Sequence, residues 1–185
     1  MIYLQKYQYV LTETNKYKRD NIILIGFMGS GKTTIGKMLA KNLKMDFVDT
    51  DLEIEKIEET TIKTIFETKG EAYFRNLEND LLKSYSRNKN LIIATGGGMA
   101  CHPENIKLIN KLGISFFLKV GFDELYNRLS KDTKRPLLKQ HDKLSLKALL
   151  RHRTQFYSSA DFCVIASRSV ENICKRIIHL YQKSK

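Results

Sequence analysis

The sequence predicts a three-layer α/β/α sandwich around a five-stranded parallel sheet. Short apolar runs alternate with amphipathic helical segments from residue 21 onward, and strands buried on both faces have this continuous apolar character. The first run, residues 22–25, passes at once into a glycine-rich loop and a helix, an order typical of a phosphate-binding loop. Right-handed crossovers in such an alternation place helices on both faces of the sheet.

The predicted elements follow this alternation along the chain. Apolar runs predict strands at residues 22–25, 46–49, 91–94, 114–118 and 162–166. Amphipathic spacing predicts helices at residues 34–43, 51–58, 62–68, 71–87, 103–112, 122–130, 145–157 and 170–181. Residues 131–143 are polar and irregular, and we expect a lid over a bound ligand there.

The composition indicates one compact domain. A chain of 185 residues with 42% hydrophobic content can bury a single core and is short for two, so residues 21–185 are expected to form one domain. Residues 1–20 lack the apolar stretch of a signal peptide, and we expect a frayed extension or a misplaced start. No run is long enough to span a bilayer. The three cysteines are scattered, which predicts reduced thiols in a cytoplasmic protein.

The net charge of +12 raises the question of nucleic-acid binding. Most of the surplus is lysine spread over predicted helix surfaces, and no helix-turn-helix, zinc-finger or RNA-binding aromatic pattern organises it. We therefore expect no nucleic-acid partner. Arginine is the scarcer cation, and its planar guanidinium binds carboxylates and phosphates through two hydrogen bonds, so the positions of the arginines are more informative.

Residues 26–33 form a complete phosphate-loop motif, G-F-M-G-S-G-K-T. Glycines let the backbone curl so that successive N–H groups point inward at an anion. Lys32 is expected to place its charge on the β- and γ-phosphates of a nucleotide, and Thr33 to offer its hydroxyl to Mg²⁺. The following helix directs its positive N-terminal end at the same phosphates. The expected nucleotide-binding residues of this loop are Gly29, Ser30, Gly31, Lys32, Thr33 and Thr34.

Two aspartates, Asp49 and Asp51, lie at the C-terminal end of the second predicted strand. Ligands of open parallel sheets gather at that edge, so both carboxylates are expected to face the site onto which the phosphate loop opens. We assign Asp49 to the magnesium site, through the water shell of the ion, and Asp51 to the acceptance of a proton from an attacking hydroxyl. The alternative is that Asp51 only caps the next helix.

Two further features suggest a pocket for a second substrate. Arg75 stands three residues before Glu78, and the simple interpretation of this spacing is a surface ion pair worth about a few tenths of a kcal/mol. The triple glycine at residues 96–98 comes directly after a predicted strand, where missing side chains let the backbone approach a ligand closely.

Two more arginines follow in the C-terminal half. Arg135 lies within residues 131–143, where a mobile lid carries a cation onto the γ-phosphate and excludes water; the alternative is a solvated loop. Arg153 and Tyr157 are four residues apart on one predicted helix face, and an isolated arginine there is most often solvated surface.

Together these motifs resemble the shikimate kinase family, in the nucleoside-monophosphate-kinase-like group of P-loop proteins. The resemblance covers residues 21–185 and depends on six motifs in order, which are G-F-M-G-S-G-K-T-T at 26–34, D-T-D at 49–51, F-R-x-x-E at 74–78, G-G-G at 96–98, R-P-L at 135–137 and R-x-x-x-Y at 153–157. It implies transfer of the ATP γ-phosphate, with Mg²⁺, to the 3-hydroxyl of shikimate in the pathway to chorismate and the aromatic amino acids. It also implies the sheet order 2-3-1-4-5 and a monomer.

The resemblance implies a role for each matching residue. Asp51 resembles the residue that holds the reacting hydroxyl, and Arg135 resembles the lid arginine that meets the transferring phosphate. Arg75 and Arg153 resemble the pair that binds the shikimate carboxylate. The remaining implied contacts are Gly97, Gly98, Phe66 and Phe74 in the shikimate pocket and Arg128 on the adenine.

The departures from the family pattern are small. Thr33 replaces a common serine and keeps the hydroxyl, and Met28 stands where a proline is often found. Two rival functions remain open. One is a kinase of another small acid or polyol, such as gluconate, whose loop and lid would look alike. The other is a non-catalytic nucleotide-binding or nucleic-acid-associated protein, and retention of both aspartates and all the arginines counts against it.

Overall fold

The central sheet has five strands, all paired in parallel, in the order β2-β3-β1-β4-β5. The structure is a computed structural model that describes residues 19–131 and 142–185. The strands are β1 (Asn21–Ile25), β2 (Asp46–Asp49), β3 (Leu91–Ala94), β4 (Gly113–Lys119) and β5 (Phe162–Ile165). The α/β class and the sheet order are therefore confirmed.

The described residues form seven helices, six between the strands and one after β5. They are α1 (Lys32–Leu43), α2 (Thr50–Ile57), α3 (Ile62–Ser84), α4 (Pro103–Leu112), α5 (Phe122–Ser130), α6 (Lys143–Tyr157) and α7 (Val170–Lys183). Short 3₁₀ turns follow α3 at Tyr85–Arg87 and β3 at Met99–Cys101. Helix α1 packs against α7, and α3 packs against both α2 and α4.

The helix boundaries differ from the predictions where a capping residue sets the start. Helix α1 begins at Lys32, not at residue 34, because Gly31 adopts a left-handed conformation at the N-cap. Helix α6 begins at Lys143, not at residue 145, because the Asp142 side chain accepts a hydrogen bond from Ser145 N at 2.7 Å. The predicted break between residues 68 and 71 coincides with Gly70, whose φ of 80° and ψ of 172° interrupt α3.

Strand β1 is the centre of the core, with every residue buried. Its first side chain, Asn21, ties the start of the sheet together, because its amide donates to Asn88 O at 3.0 Å and Leu112 O at 2.9 Å and accepts from Leu91 N at 3.0 Å. The opposite, C-terminal end of β1 opens into the phosphate loop.

The two residues before the predicted domain start are bound to the domain. Arg19 donates to Gly113 O at 2.9 Å and pairs with Asp161, and the backbone carbonyl of Asp20 accepts from the Tyr181 hydroxyl at 2.6 Å. Residues 1–18, the main part of the expected extension, lie outside the described residues.

Two simpler expectations can be compared with the described ranges. No helix in residues 19–131 or 142–185 combines the length and the apolarity that a membrane crossing requires. Cys101, Cys163 and Cys174 are free thiols, of which Cys174 is buried and Cys163 exposed.

Candidate active site

The loop between β1 and α1 has the curled backbone that the motif predicts. Gly26, Gly29 and Gly31 have φ angles of 148°, 77° and 94°, a region that residues with a β-carbon avoid. Lys32 Nζ donates to Gly26 O at 2.8 Å and Phe27 O at 2.9 Å, which holds the ammonium group against the loop. The loop therefore presents a fixed positive charge at the C-terminal edge of the sheet.

Asp49 joins this loop to the next strand. Its Oδ2 accepts from the Thr33 hydroxyl at 2.7 Å, and its Oδ1 accepts from Asp51 N at 3.2 Å. Asp49 is thus the N-cap of α2, and the alternative interpretation of Asp51 as the cap is wrong. The paired oxygens of Thr33 and Asp49 are the kind of donors that Mg²⁺ takes in phosphate sites, so these residues fit that ion.

The triple glycine leaves space for functional side chains from two other elements. A β-carbon added to Gly96 would lie 2.3 Å from Asp51 Oδ1, and one added to Gly98 would lie 2.8 Å from Arg75 Nη1. Neither glycine has a positive φ, so the missing side chain is needed for space and not for backbone conformation. The structure therefore brings Asp51 of α2 and Arg75 of α3 to one turn.

The middle glycine connects this turn to the phosphate loop. A β-carbon added to Gly97 would lie 3.3 Å from Met28 N, 3.6 Å from Arg153 Nη1 and 3.9 Å from Gly26 O. Arg153 also lies over the ring of Phe27, with Cζ 5.7 Å from the ring centroid. Asp51, Arg75 and Arg153 thus converge on three consecutive glycines beside the phosphate loop.

Arg75 is held by two acidic residues of its own helix. Its Nη1 lies 2.7 Å from Glu78 Oε2, and its Nη2 lies 2.8 Å from Glu71 Oε1. The Glu78 side chain is only 1% exposed, whereas Glu71 is 64% exposed. The interpretation of Arg75 and Glu78 as a surface ion pair is therefore wrong.

Burial changes the acidity of Glu78. It raises the pKa of Glu78 to about 7, and the neighbouring charge of Asp51 adds to the rise, whereas Arg75 opposes it. Glu78 Oε2 pairs with Arg75, but Oε1 has no hydrogen-bond partner among the described residues and lies 3.3 Å from the β-carbon position at Gly96. A buried carboxyl that titrates near neutrality thus stands next to Asp51.

Two aromatic rings pack beside Arg75. The ring centroids of Phe66 and Phe74 are 4.9 Å apart, and Arg75 Cζ lies 6.0 and 5.5 Å from them. Phe74 is buried, whereas Phe66 is 37% exposed. The pair gives the region around the guanidinium an apolar wall, as expected of a pocket for a small ring compound.

The remaining predicted residues that the structure describes lie around the phosphate loop. Arg128 donates to Gly29 O at 3.1 Å and Ala166 O at 3.2 Å and pairs with Glu124, so it bridges the loop and the end of β5. Ser30 is buried and Thr34 exposed. Arg135 and most of the expected lid, residues 132–141, lie outside the described residues.

Two contacts of the glycine turn did not follow from the sequence. The buried hydroxyl of Thr50 accepts from Gly96 N at 2.9 Å, and the buried hydroxyl of Tyr157 donates to Gly97 O. Both residues belong to motifs, D-T-D and R-x-x-x-Y, in which the predicted functional residues are the charged ones. A polar residue in the same motif as each charged one was the available signal.

The chain is similar to known proteins in sequence and in fold. The family model described as shikimate kinase matches residues 28–182. The chain is 43% identical over 169 residues to the shikimate kinase of Caldicellulosiruptor bescii, which covers 89% of this chain and 98% of that relative. Two solved structures are also similar. The shikimate kinase of Aquifex aeolicus has a TM-score of 0.76 at 36% identity, covering 89% of this chain and 97% of that one. The shikimate kinase of Acinetobacter baumannii, solved in complex with shikimate, has a TM-score of 0.83 at 34% identity, covering 91% and 96%. This chain belongs to the shikimate kinase family.

Proposed function

We propose that this chain transfers the γ-phosphate of ATP to the 3-hydroxyl of shikimate, giving shikimate 3-phosphate and ADP. One observation carries the proposal, which is that Asp51, Arg75 and Arg153 converge on a triple-glycine turn beside the phosphate loop. The solved relative from Acinetobacter baumannii that holds shikimate supports the choice of acceptor. The arrangement provides one cationic region for phosphates and a separate one for a small carboxylate.

The nucleotide occupies the loop side of the site. The N–H groups of residues 29–34 would surround the β-phosphate. Lys32, which the loop carbonyls of Gly26 and Phe27 hold beside the loop, is the cation for the γ-phosphate. Arg128, which spans the loop and the end of β5, stacks on the adenine. Arg135 meets the transferring phosphate from the lid.

Shikimate occupies the glycine side of the site. Arg75 and Arg153 bind its carboxylate, because a planar guanidinium matches two carboxylate oxygens. Gly97 and Gly98 line the ring, and Phe66 and Phe74 form the apolar wall. Arg75 is already paired with the buried Glu78, so this pair orients the guanidinium before the acceptor arrives.

The reaction is direct in-line transfer without a covalent enzyme intermediate. Asp51 orients the 3-hydroxyl and takes its proton as the oxygen attacks the phosphorus. Lys32 and Arg135 stabilise the negative charge on the transferring group. Thr33 and Asp49 are the residues that would hold Mg²⁺, and the ion would neutralise charge on the nucleotide phosphates.

The proposal extends to the organisation of the chain. Residues 21–185 act as one catalytic domain in a cytoplasmic monomer, with a lid at residues 131–143 and no nucleic-acid or membrane partner. The bonds of Arg19 and Asp20 to the domain support a domain that begins close to the predicted boundary.

A coupled ADP-release assay with three acceptor conditions tests the function. ADP should form rapidly with shikimate, and only at background rate with gluconate or without acceptor. Faster turnover with gluconate would make the chain a kinase of a different acid. Nucleotide binding without any acceptor-dependent ADP would make it a non-catalytic binding protein.

A further inference from the structure

The triple-glycine turn is held by two buried hydroxyl groups from different helices. On one side, Thr50 Oγ1 accepts the N–H of Gly96 at 2.9 Å. On the other side, the Tyr157 hydroxyl donates to the carbonyl of Gly97. Both side chains are 0% exposed, so water does not compete for either bond.

The turn needs such bonds because the sheet no longer holds it. Strand β3 ends at Ala94, and Thr95 N still bonds to Leu24 O of β1 at 3.1 Å. One residue later, the Gly96 N–H bonds to a side chain instead of a strand. Three successive glycines are conformationally permissive, and buried backbone groups require partners, so the two hydroxyls replace the ladder at this point.

Each hydroxyl belongs to a residue beside a functional side chain. Thr50 directly precedes Asp51, and Asp51 Oδ1 faces Gly96, the glycine that Thr50 binds. Tyr157 lies one helical turn after Arg153, and Arg153 faces Gly97, the glycine that Tyr157 binds. Asp51 and Arg153 therefore both lie against the same turn, and each is close to a residue that binds it.

We propose that Thr50 and Tyr157 are positioning residues that fix Asp51 and Arg153 relative to one another through the triple-glycine turn. The inference depends on the proposed function, because it assigns Asp51 to the reacting hydroxyl and Arg153 to the acceptor carboxylate. Burial raises the pKa of the Tyr157 hydroxyl, so the group keeps the proton with which it donates.

The two hydroxyls should act on different kinetic constants. Loss of the Thr50 hydroxyl displaces Asp51 from the reacting oxygen, which lowers kcat. Loss of the Tyr157 hydroxyl displaces Arg153 from the carboxylate, which raises KM for shikimate. Neither hydroxyl forms a hydrogen bond to the phosphate loop among the described residues, so KM for ATP should stay constant in both cases.

Steady-state kinetics of four variants and one control variant tests this separation. Thr50→Val removes the acceptor at nearly constant volume and should lower kcat by at least about tenfold, the loss of roughly one well-placed hydrogen bond. Thr50→Ser keeps the acceptor and should restore kcat to within about threefold. Tyr157→Phe should raise KM for shikimate by about tenfold. Thr50→Ala is the second variant without the acceptor, and it should lose kcat even if Thr50→Val does not fold.

Ser115→Ala is the matched control. Ser115 is equally buried, and its hydroxyl bonds to Asp161 at 2.8 Å in the part of β4 away from the glycine turn. This variant should lose thermal stability with unchanged kcat and KM.

Any of three results would overturn the positioning role. The first is a normal kcat in both Thr50→Val and Thr50→Ala, and the second is a loss of kcat in Thr50→Ser as large as in Thr50→Val. The third is a loss of kcat in Ser115→Ala that accompanies its loss of thermal stability. A wild-type chain that forms no ADP with shikimate would refute the proposed function instead, so the two failures are distinguishable.

Discussion

Glu78 pairs with Arg75 at 2.7 Å although only 1% of the Glu78 side chain is exposed. A carboxylate at this depth loses its hydration, and its partner arginine offsets only part of that loss. The proposed acceptor-binding arginine therefore has a fixed counter-ion behind it, and the same counter-ion titrates near neutral pH.

Replacement of Glu78 by glutamine should change how stability depends on pH. Because the pKa of Glu78 is raised from 4.5 to about 7, the folded state binds more protons than the unfolded state in that window. Glu78 therefore makes the protein less stable as pH rises from about 4.5 to 7, by up to about 3 kcal/mol. Denaturant unfolding across this window should show a smaller decline in Glu78→Gln than in wild type.

Glu104→Gln is the control for this titration. Glu104 pairs with Lys107 on the surface, where its side chain is 75% exposed, and its removal should leave the pH dependence almost as in wild type. Identical pH profiles for Glu78→Gln and wild type would contradict the account of a buried, titrating carboxyl.

Arg75→Lys should weaken shikimate binding selectively. Lysine keeps the positive charge opposite Glu78 but loses the planar fork that matches a carboxylate. We expect KM for shikimate to rise by about 10-fold to 100-fold, or about 1.4 to 2.7 kcal/mol, with KM for ATP nearly unchanged. Steady-state kinetics with Arg151→Lys, an exposed arginine of α6, provides the comparison. An equal loss for both substrates would indicate a structural role for Arg75.

Asp51→Asn should affect turnover far more than nucleotide binding. The cap of α2 is Asp49, not Asp51, so the substitution leaves the helix start intact. Asparagine cannot take a proton from the 3-hydroxyl, and we expect kcat to fall by at least about 100-fold. Calorimetric titration with ADP should give an affinity within about twofold of wild type. Near-normal turnover would remove Asp51 from the reaction.

Gly96→Ala should act through the same carboxylate. A β-carbon at this position would lie 2.3 Å from Asp51 Oδ1, so Asp51 must move and kcat should fall by at least about tenfold. Gly121→Ala is the matched control, because no atom outside its neighbouring residues lies within 4 Å of a β-carbon there. Comparable kcat values for the two variants would show that Asp51 tolerates displacement.

Asn21→Ala should lower stability without changing catalysis. The substitution leaves Leu91 N of a buried bond, and Asn88 O and Leu112 O of two part-buried bonds, without their side-chain partner. An unsatisfied buried group costs about 1 to 3 kcal/mol, and the part-buried groups less. We expect the free energy of unfolding in urea to fall by about 2 to 4 kcal/mol. Since Asn21 lies at the end of β1 opposite the phosphate loop, a fall in kcat of the folded protein would contradict this separation of roles.

The sequence predicted most of the fold because its signals are local. The phosphate loop depends on glycines whose positive φ angles are set within the loop itself, and the buried strands are continuous apolar runs. The sheet order came from the family resemblance, since strand order depends on contacts between distant segments.

The site was harder to predict because burial is a tertiary property. The spacing of Arg75 and Glu78 places them on one helix face, but only the packing of that face against the glycine turn buries Glu78. The hydrogen bond of Thr50 is also a tertiary contact, because its hydroxyl meets Gly96 N only where β2 and β3 are neighbours. The charged residue types indicated the candidate site residues, whereas their burial and hydrogen-bond partners depend on tertiary packing.

Phosphorus-31 NMR of the products formed from ATP and shikimate tests direct transfer to the 3-hydroxyl. Direct transfer predicts one new phosphomonoester signal, equal in amount to ADP and coupled to the proton on carbon 3 of the ring, and the near loss of this signal in Asp51→Asn. Inorganic phosphate in place of that signal, or a phosphomonoester on a different hydroxyl, would contradict it.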